Sequence, residues 1–163
     1  MKKIILALML FIASASADFL GQAGIGLSKG NNGENHVTAF AGVELMMGAG
    51  VRLEYTKNFS EHPEFSKEDV SRYGLFAVYQ FSLIPYIAIT PKIGLVKSDG
   101  EFTLAQTAQT LSRSSTKFTY GLELDYYYTD MISIFLGYTD YGKDFKVDNM
   151  DTANFTLGLK LHI

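Results

Sequence analysis

The sequence predicts an all-β protein, an eight-stranded antiparallel up-and-down transmembrane β-barrel. Eight segments alternate apolar and polar residues with the period of a β-strand. Short and long connections alternate between these segments. No charged residue interrupts the middle of any apolar row, and a lipid-facing row must be this clean because a cation at mid-bilayer costs about 2–4 kcal/mol.

The N-terminus has the features of a secretory signal peptide. Lys2 and Lys3 precede an apolar run from Ile4 to Ile12, and Ala15-Ser16-Ala17 supplies an A-x-A cleavage site. The apolar run is far shorter than the ~20 residues that a membrane-spanning helix needs. We therefore predict a signal peptide at residues 1–17 and an outer-membrane β-barrel domain at residues 18–163.

Composition excludes several kinds of chemistry. Loss of the two lysines takes the net charge from −3 to −5, and this mild acidity argues against nucleic acid as a partner. The absence of cysteine excludes disulfides and thiol chemistry. The three histidines, His36, His62 and His162, stand at unrelated spacings, so we predict no metal site and no cofactor.

Four strands are predicted in the first half of the mature chain, at residues 19–28, 37–45, 50–56 and 72–81. The first two are rich in glycine and alanine, and the third alternates Val51, Leu53 and Tyr55 with charged residues. The fourth alternates less cleanly, because apolar side chains such as Phe76 and Val78 also occupy its second face.

Four more strands are predicted in the second half, at residues 85–97, 118–126, 132–139 and 155–163. Pro91 lies within the fifth strand and removes a backbone donor, so we expect a local break or bulge there. The last strand has the clearest pattern: its apolar row is Phe155, Leu157, Leu159, Leu161 and Ile163, and the opposite row is Thr156, Gly158, Lys160 and His162.

The connections predict a meander with two different ends. Short turns are expected at Met47-Gly48-Ala49, near Ser82–Ile84 and across Tyr127–Met131, and long loops at 29–36, 57–70, 98–116 and 140–153. Outer-membrane barrels have this arrangement, with short periplasmic turns and longer external loops. For residues 103–112 the sequence leaves two possibilities, a helical turn or an extension of the strands.

The polar rows predict an ionic network inside the barrel. They contain equal numbers of acids and bases, which suits mutual pairing in a confined lumen, whereas a solvated face with incidental balance is the simpler alternative. A three-residue turn would place Glu44 across from Arg52, and Gly42 across from Glu54. The predicted network consists of Glu44, Arg52, Glu54, Arg72, Lys92, Glu123, Asp125 and Lys160. The same rows hold nine of the fifteen glycines, as expected where side chains crowd into a narrow interior.

Aromatic residues occur near both ends of the predicted strands, as in the interfacial girdles of membrane barrels. Ordinary packing of aromatics in sheets would also account for them. The girdle candidates near the long loops are Tyr55, Tyr73, Phe118, Tyr120, Tyr138 and Phe155, and those near the short turns are Phe19, Tyr79, Phe81, Tyr86 and Tyr126.

The chain resembles the small eight-stranded outer-membrane barrels, the OmpA transmembrane domain and OmpX-like group of "porin family" proteins. The residues that carry the resemblance are the 157–163 terminus, the 120–124 strand and the 135–139 segment. The resemblance implies a Gram-negative outer-membrane location, contact with lipid and lipopolysaccharide, and a C-terminal strand read by the barrel-assembly machinery. The family usually ends in Phe or Trp, whereas this chain ends in Ile163.

An eight-stranded barrel is just wide enough for side chains to fill its interior. We therefore predict a non-enzymatic, monomeric protein with a structural or surface-interaction role. The exposed candidates are Glu61, His62, Glu64, Phe65, Lys67, Glu68 and Asp69 in the second long loop, and Lys143, Asp144, Lys146 and Asp148 in the fourth.

Three alternatives remain at this stage: a narrow pore, a barrel enzyme that modifies lipid A, and a soluble lipocalin-like carrier. The enzyme would need a Ser-His-acid constellation at the membrane face. No histidine here is followed two residues later by a serine on a lipid-facing row. The carrier would have an apolar interior and a charged exterior.

Overall fold

The computed structural model describes residues 20–31, 33–59, 65–104, 110–143 and 151–163. The predicted signal peptide and Phe19 lie outside these ranges. The described residues form nine strand segments and contain no helix able to cross a membrane. The segments are β1 (Leu20–Gly30), β2 (Asn35–Met46), β3 (Ala49–Asn58), β4 (Phe65–Tyr79), β5 (Phe81–Ile84), β6 (Ile87–Leu104), β7 (Thr110–Thr129), β8 (Ile132–Lys143) and β9 (Asp151–His162).

The segments form a closed antiparallel barrel in which sequence neighbours pair. Pairing of β1 with β9 and of β4 with β6 leaves no open seam along the wall. Because β5 continues β4 along β6, the nine segments make eight barrel strands. The predicted fold class is therefore confirmed. The open question at residues 103–112 is answered for its described part, since β6 and β7 extend as strands and pair up to Thr103–Thr110; residues 105–109 lie outside the described residues.

Pro91 does not interrupt its own strand, so the predicted bulge is wrong. β6 runs without a register shift through the Pro91–Leu122 pair. The break lies instead in the neighbouring strand at Gln80, between β4 and β5. Val78 pairs with Lys92 and Phe81 pairs with Ile89, so the register is the same on both sides of the gap. The missing N–H of Pro91 interrupts the ladder without displacing the strands.

The β2–β3 turn differs from the predicted three-residue turn. Its two residues, Met47 and Gly48, have φ angles of 50° and 87°, which is the positive-φ signature of a two-residue hairpin turn. Such a turn alone would set Glu44 against a lipid-facing residue. A bulge between Glu44 and Met46 restores the two faces.

The predicted pairing of Glu44 with Arg52 and of Gly42 with Glu54 is therefore wrong. Arg52 lies opposite Gly42, and Glu54 lies opposite Phe40. The second short turn lies a little further along the chain than predicted, at 85–86, and the third, at 130–131, lies within the predicted Tyr127–Met131 range. We call this side of the barrel the turn end, and the opposite side the loop end.

The two faces of the wall have opposite chemistry. Leu53 is 50% exposed and Leu159 is 55% exposed on the outside, whereas Arg52 and Lys160 on the inside are fully buried. This arrangement is the reverse of a lipocalin-like carrier, and that alternative is wrong.

Glycines in the lumen make room for aromatic rings. A Cβ atom at Gly24 would collide with the Phe40 ring, and one at Gly158 would lie 2.6 Å from the ring of Phe135. Phe40 and Phe135 themselves meet edge to face, with ring centroids 5.4 Å apart. The interior is thus a packed core in which glycines lie next to large aromatic side chains.

Candidate functional site

A cluster of six charged side chains fills the middle of the lumen. It contains three cations and three anions, each at most 6% exposed. They come from β3, β6, β7 and β9, so they join strands that are distant in the sequence. We call this group the lumen cluster: Arg52, Glu54, Lys92, Glu123, Asp125 and Lys160.

Glu123 is the centre of the lumen cluster because it contacts all three cations. Its Oε1 accepts a hydrogen bond from Nη1 of Arg52 and lies 3.5 Å from Nζ of Lys92. Its Oε2 accepts from Nζ of Lys160 at 3.1 Å. The second guanidinium nitrogen of Arg52 donates to the Gln22 side-chain oxygen at 2.8 Å.

The remaining two acids each bind one lysine. Nζ of Lys92 donates to Oε2 of Glu54 at 2.7 Å. Nζ of Lys160 lies 2.6 Å from Oδ1 of Asp125, whose other oxygen accepts from Thr90 at 3.1 Å. Charges removed from water are tolerated when they are paired and hydrogen-bonded in this way.

Aromatic rings complete the surroundings of the cations. The guanidinium carbon of Arg52 lies 4.2 Å from the centroid of Phe40, and the ammonium of Lys92 lies 4.9 Å from that of Phe76. Lys160 lies 5.5 Å from the centroid of Phe135. These cation–π contacts supply favourable electrostatics that water would otherwise give. The sequence placed these rings on the inner face but gave no signal that they would contact the cations.

A ladder of hydroxyl groups lies between the lumen cluster and the loop end. Ser28 Oγ contacts the hydroxyl of Thr38 at 2.9 Å and that of Thr156 at 2.8 Å. Thr38 continues the ladder to Thr56 at 3.0 Å. Tyr141 joins it to the cluster, since its hydroxyl donates to Glu54 at 3.4 Å. The sequence analysis did not predict this ladder. The only sequence signal for the ladder is that small hydroxyl residues recur on the inner rows of neighbouring strands.

Two of the eight predicted network residues lie apart from the lumen cluster. The guanidinium carbon of Arg72 lies 5.0 Å from the ring centroid of Tyr141, on the loop side. Glu44 lies at the turn end, where its carboxylate accepts a hydrogen bond from the backbone N–H of Gly48 at 3.0 Å. Glu44 therefore closes the hairpin turn.

A smaller polar group lies at the turn end of the lumen. The side-chain amide of Gln80 donates to the Tyr127 hydroxyl at 2.6 Å, and the Tyr127 and His162 rings are 4.9 Å apart. Nε2 of His162 lies 3.0 Å from Oγ of Ser133. This serine–histidine contact faces the lumen, where Ser133 is fully buried.

The described girdle candidates all lie on the outer face. They form contacts at both ends of the barrel, with ring centroids 5.0 Å apart for Tyr55 and Tyr73 and 4.4 Å apart for Tyr79 and Phe81. At the loop end, the Tyr120 hydroxyl donates to Asp140 at 2.7 Å. The remaining girdle candidates on the outer face are Phe118, Tyr126, Tyr138, Phe155 and Tyr86.

Exposed ion pairs lie level with Tyr73 and beyond it on the loop side, and we call them the loop-side rim. Lys57 and Asp69 are 3.2 Å apart, as are Lys97 and Asp99. The hydrogen bond with Asp69 raises the pKa of Lys57 above its ordinary value. A hydrogen bond from Ser114 lowers the pKa of Asp99, with a smaller contribution from Lys97.

The loop candidates fall mostly outside what the structure describes. Glu61, His62 and Glu64, and likewise Asp144, Lys146 and Asp148, lie outside the described residues, as do the side chains of Phe65, Lys67, Glu68 and Lys143. Among the described side chains there is no group of His, Asp and Glu that could hold a metal ion.

The fold and the charged, packed lumen define a small membrane-spanning β-barrel. The sequence profile of the outer membrane protein beta-barrel domain family matches residues 4–162. The chain belongs to that family, so the resemblance to small outer-membrane barrels is confirmed. Membership of the family implies a location in the outer membrane. No curated protein matches the sequence significantly.

Solved structures of small outer-membrane barrels share the fold. The chain is 17% identical to Yersinia pestis Ail, solved with the heparin analogue sucrose octasulfate, at a TM-score of 0.64 over 90% of this chain and 100% of Ail. The N-terminal barrel of Pseudomonas aeruginosa OprF gives 15% identity and a TM-score of 0.69, over 90% and 98% of the two chains. Neisserial surface protein A is 16% identical to the chain, with a TM-score of 0.59 over 90% of this chain and 97% of that protein. At these identities the likeness concerns the fold alone.

Proposed function

We propose that this outer-membrane barrel is a non-enzymatic, monomeric protein with a closed lumen, and that it acts as a structural element and through its loop end. The observation that carries the proposal is the lumen cluster. Six charges, three phenylalanine rings and a hydroxyl ladder occupy the interior, and each charge has a protein partner. Such a lumen supports the barrel mechanically and leaves recognition to the loops.

The proposal includes the route to the membrane. A signal peptide at residues 1–17 exports the chain, and the barrel-assembly machinery reads the β9 strand, whose outer row is apolar to the terminal Ile163. The loop end then faces the exterior, where lipopolysaccharide is the neighbouring lipid. The rim charges Lys57, just beyond the aromatic girdle, and Lys97, level with Tyr73, support contact with its polar headgroup.

Planar-bilayer recording tests the closed lumen. Purified protein should give no stable conductance above that of the protein-free bilayer, because the lumen cluster and its rings occupy the cross-section. A large and stable conductance would refute the closed lumen and would favour the narrow pore instead.

Single-cysteine labelling tests the orientation, and the chain suits it because it has no native cysteine. In intact cells, a membrane-impermeant maleimide should label Asp144→Cys in the fourth long loop. It should leave Met47→Cys unlabelled, although Met47 is 90% exposed at the turn end. The opposite labelling pattern would reverse the proposed orientation.

An assay with lipid A tests the absence of enzyme activity. Purified wild-type protein should release no acyl chain, because Ser133, the serine in contact with His162, faces the lumen. Release that disappears in His36→Ala or His162→Ala would overturn this part of the proposal.

A further inference from the structure

The turn end carries a projecting hairpin with an open strand edge. It comprises β5, the turn at 85–86 and the first residues of β6, and we call it the turn-end hairpin. Within the described residues, β5 pairs with β6 alone. The strand on its other side, β3, begins only at Ala49, and the last contact there is the hydrogen bond from Gln80 N to Gly48 O at 2.7 Å.

The hairpin exposes apolar side chains on both faces. Every residue from Phe81 to Tyr86 is exposed, including Leu83 and Ile84 at more than half of their surface. No charged residue occurs between Arg72 and Lys92. Natural proteins usually protect an exposed edge with charge, whereas this edge is limited only by its length and by a bulge at Leu83.

Lipid does not account for the edge. Unpaired backbone N–H and C=O groups are excluded from hydrocarbon, because nothing there forms hydrogen bonds with them. The edge must therefore lie beyond the hydrocarbon core, although its side chains are apolar. A second copy of the chain is also a poor fit. A four-residue strand is about 13 Å long, and stable interfaces bury about 1,200–2,000 Å².

We propose that the open edge of β5 binds an extended, uncharged, apolar polypeptide segment by strand addition. An extended chain presents alternating donors and acceptors at the spacing of the edge, and the exposed side chains of Phe81, Leu83 and Ile84 give it apolar contacts. The short edge makes the complex transient. The partner approaches from the turn end, alongside the Met47–Gly48 turn.

The experiment uses the folded barrel in lipid nanodiscs and a fluorescent eight-residue peptide of alternating valine and threonine. The peptide should bind and should slow amide hydrogen exchange in Phe81–Ile84 about tenfold or more. Its fully N-methylated form, which keeps the side chains and loses the donors, should not bind. Absence of binding, or equal binding of the two peptides, would overturn the proposal.

A charge on the edge provides the matched variant. Leu83→Lys should weaken peptide binding about tenfold or more, whereas Met131→Lys, at the turn between β7 and β8, should change it less than about twofold. Unchanged heat-modifiable mobility establishes that both variants fold. Equal effects of the two lysines would refute an edge-specific site. Concentration-dependent protection of β5 without peptide, together with dimer sedimentation, would overturn the proposal in favour of a second copy.

Discussion

The lumen cluster and the loop-side rim contain similar ion pairs in different surroundings. Lys92 and Glu54 meet at 2.7 Å with almost no exposed surface, whereas Lys57 and Asp69 meet at 3.2 Å with 42% of each side chain exposed. Water can replace a partner at the rim and cannot do so in the lumen. The comparison shows that the distance within an ion pair does not by itself set the stability lost when one partner is removed. That loss depends mainly on whether water can reach the remaining charge.

Removing the central acid should have the largest effect. Glu123→Ala leaves Arg52, Lys92 and Lys160 without their shared carboxylate, and we expect a loss of about 3–5 kcal/mol in the free energy of unfolding. Urea unfolding in lipid measures it. The control is Glu101→Ala on the exposed part of β6, which should stay within about 0.5 kcal/mol. Equal losses for the two variants would mean that the cluster is solvated.

A charge on the outer wall extends the comparison to a third environment. Leu159→Arg should cost about 2–4 kcal/mol if lipid covers this face. The same unfolding experiment with Leu161→Arg, nearer the turn end on the same strand, should show a smaller loss. An unchanged free energy of unfolding in the Leu159→Arg variant would contradict lipid contact and the barrel's place in the membrane.

The tight packing of the lumen can be tested with a single methyl group. Gly24→Ala places a Cβ against the Phe40 ring and should destabilise the protein by about 1–3 kcal/mol, with partial rescue by Phe40→Leu. Gly137→Ala is the control, because the added Cβ would lie 3.4 Å from Cγ of Glu123, which is an ordinary contact. It should be neutral or slightly stabilising. A neutral Gly24→Ala variant would indicate free space beside Phe40.

The rim should give the smallest effect and a pH dependence. Asp99→Asn should cost less than about 1 kcal/mol at pH 7. The pKa of Asp99 is lowered in the folded state, so its contribution is present above the ordinary Asp pKa and is lost as the pH falls through the folded value. Wild type and variant should thus become equally stable in acid. A difference that persists at pH 2 would assign the effect to another cause.

Much of the wall could be predicted from the sequence, because lipid imposes one simple rule on every second residue. Leu53 and Leu159 point outward as their rows require. The pairing inside could not be predicted in the same way. It depends on the strand register, and the register at Arg52 depends on a turn with positive φ at Met47 and on a bulge at Leu45. Neither feature has a hydrophobic pattern.

The central contacts also depend on contacts between strands far apart in the sequence. Arg52 and Glu123 are separated by 71 positions, and nothing in either local pattern indicates the other. Phe40 and Phe135 lie on the inner rows, yet their role beside Arg52 and Lys160 follows only from the closed barrel. By contrast, Glu44 is predicted to belong to the network only because it lies on an inner row. Its position next to a turn makes its carboxylate accept a hydrogen bond from the turn residue Gly48 instead.

The position of Glu123 has a consequence for how the protein is made. Its three cationic neighbours belong to β3, β6 and β9. A partly assembled barrel in the bilayer would therefore expose unpaired charges to hydrocarbon. All three contacts exist together only when the wall has curled far enough to bring Arg52 on β3 across the lumen to Glu123 on β7. We therefore expect insertion into the bilayer and closure of the barrel to occur together.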